Sequence, residues 1–196
     1  MDRRRIRTVA LFLIGLLSLA GCAGKMKPTE FTNPKFDFSF VERVAVLPFE
    51  NLSGDRQAGA RATRLTITEL LSSGSVEVVE PGQVQAALSE LPGARVGRVA
   101  PPSTQDITSL GKALGVQAVL VGTVTQSESF RSGAVMIPVV TLDVHMVETE
   151  TGATVWAATH TEKGGSVGAR VLGTGGQPIS ETTRRCVRQL LGTLVE

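Results

Sequence analysis

The first two dozen residues constrain this chain most, because they remove themselves from the fold. Arg3, Arg4, Arg5 and Arg7 precede Leu-Phe-Leu-Ile-Gly-Leu-Leu-Ser-Leu-Ala-Gly-Cys-Ala-Gly at residues 11–24. A basic start, an apolar core of about a dozen residues and a small-residue end make a secretory signal peptide. The apolar run falls short of the roughly 20 residues that a membrane-spanning helix needs. The rest of the chain is therefore expected to fold outside the cytoplasm.

The end of that segment, Leu19-Ala20-Gly21-Cys22, resembles the lipobox of bacterial lipoproteins. The resemblance implies that the Cys22 thiol is joined to diacylglycerol, that the leader 1–21 is cut before it, and that the new amino terminus is acylated. No other cofactor is expected. Acyl chains at about 0.8 kcal/mol per buried methylene hold such a protein on a membrane. Ala23 follows the cysteine, not the Asp that in many lipoproteins signals inner-membrane retention. By resemblance the address is the outer membrane, on its periplasmic face, reached through the lipid anchor.

Cleavage also changes the charge argument. Residues 1–21 hold four of the 20 basic and one of the 18 acidic residues, leaving 16 against 17 in the mature chain. The basic balance thus belongs to the leader and says nothing of partners. With no Tyr and one Trp, the chain lacks a base-stacking platform, so nucleic acid is not an expected partner. With Cys22 committed to lipid, Cys186 has no partner for an internal disulfide. Stability must come from packing, and the 175 residues from Cys22 onward suffice for one domain.

Residues 22–35 read as the lipidated cysteine and a short tether, and 36–196 as the periplasmic domain. Phe36, Phe38 and Phe40 alternate with polar residues, the period of a half-buried first strand or of an exposed arm docking on a neighbouring subunit. Val44-Ala-Val-Leu-Pro-Phe49 is apolar on both faces, as a strand covered from two sides is. Helices are expected from about Asp55 to Leu71, from Pro81 to Leu91, from Ser103 or Thr104 to Leu114, and from about Ser180 onward. Strands are expected at 76–79, 117–125, 135–147 and 153–162, the last two joined at Glu150-Thr151-Gly152. Residues 163–178, with six glycines, read as a loop. The alternation gives a single-domain α/β layer sandwich around a mixed sheet.

Three segments resemble one superfamily. Val44–Asp55 is similar to the opening strand and turn of periplasmic domains related to the N-terminal domain of TolB. Leu110–Thr123 is similar to their helix, glycine stop and next strand, and Val144–Trp156 to their late hairpin. The superfamily includes the curli secretion lipoprotein CsgG, the Pel exopolysaccharide lipoprotein PelC and the peptidoglycan-synthase activator LpoB. The resemblance implies a TolB N-terminal-domain-like fold. In the Pel relative a Trp touches the membrane, which makes Trp156 a candidate for membrane or partner contact. A core Trp is the other reading, and a one-residue slip of register separates the two. The curli relative builds a barrel from inserted hairpins. Spanning strands need about 9–11 alternating residues each. Here only the segment between Thr123 and Leu142 allows a hairpin, turning near Arg131-Ser-Gly133, and two full spanning hairpins do not fit.

Catalytic patterns are missing. His145 and His160 are the only histidines, and Asp143 beside His145 gives no third ligand for a metal. Gly164–Arg170 lacks the Walker spacing and its Lys-Ser/Thr ending. Cys186 sits in an apolar helical stripe, the setting of an inert thiol. Together with the missing catalytic patterns, the resemblance implies a non-enzymatic lipoprotein forming a homo-oligomeric ring beside envelope export-channel or assembly proteins, serving an exopolysaccharide or curli-type fibre. The alternative is a monomer that activates a peptidoglycan synthase or serves as a flagellar or envelope-assembly module. The ten or so residues after Lys25 reach only about 35 Å, short for crossing the cell-wall mesh.

Overall fold

The computed structural model describes residues 26–91, 102–133, 135–165 and 177–194. The leader, Cys22 and most of the glycine-rich segment at 163–178 lie outside these residues.

The apolar run at 44–49 becomes the parallel centre of a mixed sheet. Strand β2 (Arg43–Val46) lies between β4 (Glu77–Val78) and β5 (Ala118–Ser132), parallel to both. Val44 and Ala45 are fully buried, so both faces of β2 are covered. Pro48 brings no N–H, and pairing resumes only at β3 (Glu50–Asn51), further along β5. Strands β6 (Val135–Glu148) and β7 (Thr154–Lys163) continue the sheet antiparallel. Strand β1 (Thr29–Thr32) closes its outer edge, giving the order β1-β7-β6-β5-β2-β4.

Helices cover the two faces unequally. Helices α1 (Ala58–Ser73) and α4 (Ile179–Gly192) pack side by side on one face. Their Ala62, Leu70, Cys186, Val187 and Leu190 meet Leu120, Leu142, Val144 and Trp156 of the sheet. Each of the Val and Leu side chains among them contributes about 1.5–3 kcal/mol on leaving water. Helices α2 (Pro81–Ser89) and α3 (Thr104–Leu114) lie on the other face, where Val84, Ile107, Leu110 and Leu114 cover Ala45, Leu47 and Val119. The expected single-domain α/β sandwich with a mixed sheet is what the chain adopts. The ends follow their local chemistry. Gly74 and Gly115 stop α1 and α3 with φ of 65° and 63°, a left-handed turn that a side chain resists. Ser103 and Asp106 form a reciprocal capping box at the start of α3.

Three expectations are corrected. Thr29–Thr32, read as tether, forms β1, an edge strand whose four residues are all exposed. Its backbone pairs with β7 although no side chain has a core to enter, so no apolar period announces it. Residues 36–40 are not a strand. The Asp37 carboxylate accepts the Ser39 N–H at 2.9 Å and starts a 3-10 turn at Phe38–Phe40. The turn gathers Phe36 against Phe38 and Phe40, with ring centroids 4.8 and 5.0 Å apart. Strand β5 runs on to Ser132, seven residues past its expected end, because its polar outer half pairs with β6 across a bulge after Val124.

Candidate functional site

Trp156 is the expected contact residue that the structure describes. A register shift between Met146 and Val147 sets its indole beneath α4, where it is fully buried. Its Nε1–H donates to Thr193 Oγ1 at 3.3 Å, satisfying the one polar atom. The expectation of membrane or partner contact through Trp156 gives way to the core reading, since no face of the ring reaches the surface. Cys22 lies outside the described residues.

The titratable groups are held apart. His145 is exposed on β6, whereas His160 is buried on β7 under α4, with Nε2 3.3 Å from Glu162 Oε2. Among the described residues no group of three His, Cys, Asp or Glu is placed to hold a metal. Burial pushes the Cys186 thiol up to about 12, with the Glu162 carboxylate adding to the rise. Its S–H faces the carbonyl oxygen of His160 at 3.4 Å. Such a thiol carries almost no thiolate at neutral pH and is a poor nucleophile. Arg61 reaches from α1 to Asp55, to Ser127 Oγ at 3.0 Å and to Thr183 Oγ1 at 3.3 Å, tying the 51–55 turn, β5 and α4 together. Its guanidinium holds the Asp55 carboxyl below the usual carboxylate range.

What remains are surfaces. On the sheet face opposite α1 and α4, helices α2 and α3 cover β2, the start of β5 and the end of β6 at Val147. Beyond them a polar row crosses five strands in direct register: Glu50, Thr123, Asp143, Thr159 and Thr29. Thr159 Oγ1 donates to Asp143 Oδ1 at 2.5 Å, and Thr123 Oγ1 to Glu50 Oε2 at 3.4 Å. A second row sets His145 beside Ala157 and Phe31, with Phe31 50% exposed. A third joins Gln126, Thr141 and Thr161, the two hydroxyls 2.9 Å apart. Among the described residues no helix lies over these rows.

The outer side of the α1–α4 layer is basic. Besides Arg61, which is turned inward onto Asp55, its two helices carry four arginines against Glu69 and Glu181. Glu181 is shared by Arg184 and Arg185, and Arg188 bridges to Glu69 of α1 at 3.0 Å. At the C-terminal ends of α1 and α4 an apolar groove of about 340 Å³ opens, lined by Phe38, Leu70, Val76, Met146, Leu191 and Leu194 among others. Sequence reasoning missed both faces. The arginines of α1 and α4 and the alternating threonines of β5–β7 were visible, but only the register aligns the threonines into rows.

Comparison with known proteins agrees with this architecture. The family described as curli production assembly/transport component CsgG matches residues 39–196. Among solved structures, two PelC dodecamers from Paraburkholderia phytofirmans are similar, the first a Leu-to-Met variant. One has a TM-score of 0.59 at 20% identity, covering 86% of this chain and 98% of that one. The other has a TM-score of 0.56 at 17% identity, covering 85% and 96%. The lipoprotein GNA1162 from Neisseria meningitidis gives a TM-score of 0.54 at 16% identity, covering 79% and 98%. No curated protein matches the chain.

Proposed function

The chain belongs to the CsgG family, and from that premise we propose that it is a lipid-anchored accessory of an envelope assembly or transport system. It works without catalysis, as a homo-oligomeric ring held on the periplasmic face of the outer membrane by acyl chains on Cys22. The observation that carries the reading is the family match over 39–196, nearly all of the folded domain. Two features support it. The fold is shared with PelC dodecamers, and the lipobox precedes the domain by a tether too short to carry it far from its membrane. The transported material is a polymer or fibre, an exopolysaccharide or a curli-type fibre.

Light scattering on the full-length lipidated protein, purified in detergent and resolved by size exclusion, tests the ring. A mass several times that of one chain is expected, and a monomer at every concentration would overturn the ring and favour a monomeric interaction module. Cys22→Ala tests the anchor. The variant should lose the acyl mass and leave the membrane fraction, and a variant still membrane-bound with its leader removed would refute the anchor.

A further inference from the structure

We infer that the basic α1–α4 layer of one copy docks on the uncovered threonine-lined sheet face of the next, so that the ring grows head to tail. The inference rests on the ring reading and names the two surfaces that would build it.

The uncovered face is unusual for this architecture. Mixed sheets with parallel centres are normally covered by helices on both sides. Here α2 and α3 reach β2, the start of β5 and, at Val147, the end of β6, and Val135, Ile137 and Val139 at the other end of β6 are buried, while among the described residues no helix lies over Asp143, His145, β7 and β1. A second copy's helix layer supplies the missing cover and continues the helix–sheet alternation.

Charge selects which surface arrives. Helices α1 and α4 together carry a net of +3, of which +2 remains on their outer side once the inward Arg61 is left out, whereas the mature chain as a whole carries −1. On the sheet face Glu50 and Asp143 stand in one row with only hydroxyls between them. Thr159 and His145 beside them are exposed. On the helix layer Arg64 is exposed with no ion pair among the described residues, and Arg185 shares its only acid with Arg184. Each surface also presents one large apolar group, Leu71 at 58% and Phe31 at 50% exposure. The two surfaces lie on opposite sides of the same sheet and differ in sign. The contact is therefore heterologous, the kind that closes into rings rather than two-fold dimers. Charge complementarity fixes its register and excludes helix-to-helix pairing by like-charge repulsion.

Full-length lipidated protein in detergent provides the test, with one double reversal per surface: Arg64→Glu with Arg185→Glu, and Glu50→Lys with Asp143→Lys. Each variant alone should be monomeric where the wild type is a ring. Mixed in equal amounts they should regain the ring with the two variants alternating, since the intact surfaces still match and the reversed ones, acidic on the helices and basic on the sheet, match each other. If either variant still formed the ring, the surfaces would be wrongly assigned while the ring reading stood. A monomeric wild type would instead bring down the ring itself. Should a reversal abolish cooperative thermal unfolding, Arg64→Gln and Asp143→Asn replace it, and each must raise the concentration of half-assembly at least tenfold. Loss of binding to anionic phosphatidylglycerol vesicles on reversing the arginines, with the ring intact, would assign the basic layer to lipid and overturn the inference.

Discussion

Trp156 pairs with Met146 on one side and Thr32 on the other, and the bulge just beyond Met146 turns its indole inward. One residue of slip would have put it among the exposed threonines. The Val-Trp pair and the Thr-Gly turn are plain in the sequence, but a bulge leaves no mark there, so the side that the ring faces was not legible. As the only Trp in the chain it reports on itself. Its fluorescence should be that of an indole away from water and should not change when lipid vesicles are added. A red-shifted emission, or quenching by a vesicle-borne quencher, would contradict its place in the core. Trp156→Ala should cost about 3–5 kcal/mol in denaturant unfolding, the usual loss for emptying a buried aromatic site.

Among the elements, those with two independent signals were read correctly. Helix α3 had an apolar stripe, a capping residue and a glycine stop, and its ends fall at Ser103 and Gly115. Ser103→Ala removes the acceptor for the Asp106 N–H and should lower stability by about 1 kcal/mol, measured by the denaturant midpoint. Gly122→Ala places a methyl group into the Phe49 ring packed on β5 and should cost about 1–3 kcal/mol by overpacking. Full retention of stability would show that Phe49 moves freely. The missed elements lacked a second signal. Strand β1 and the outer half of β5 are held by backbone pairing with mostly exposed side chains, so hydropathy is silent there. At 36–40 the period of two was present, but a side chain bonding its own backbone outcompeted the strand.

At the scale of the molecule, the charge is separated into a basic helix layer and an acidic remainder. An assembly built on that separation weakens as salt rises, because exposed charges are screened within about 8 Å at physiological ionic strength. Raising salt from 50 to 500 mM should lower the mass of the full-length assembly in light scattering, and a mass indifferent to salt would point to an apolar contact instead. The separation is countable from the sequence once the helices are placed, but which face stays bare depends on how far α2 and α3 extend over the sheet. The edge strand β1 carries a further consequence. The fold takes up the chain from Thr29, so under the proposed anchor at Cys22 only seven residues separate the lipid from β1, a reach of about 24 Å at most. On so short a leash the body cannot tumble freely above the lipid. That anchor would keep the β1 margin of every copy near the bilayer and impose a common tilt before any neighbour arrived.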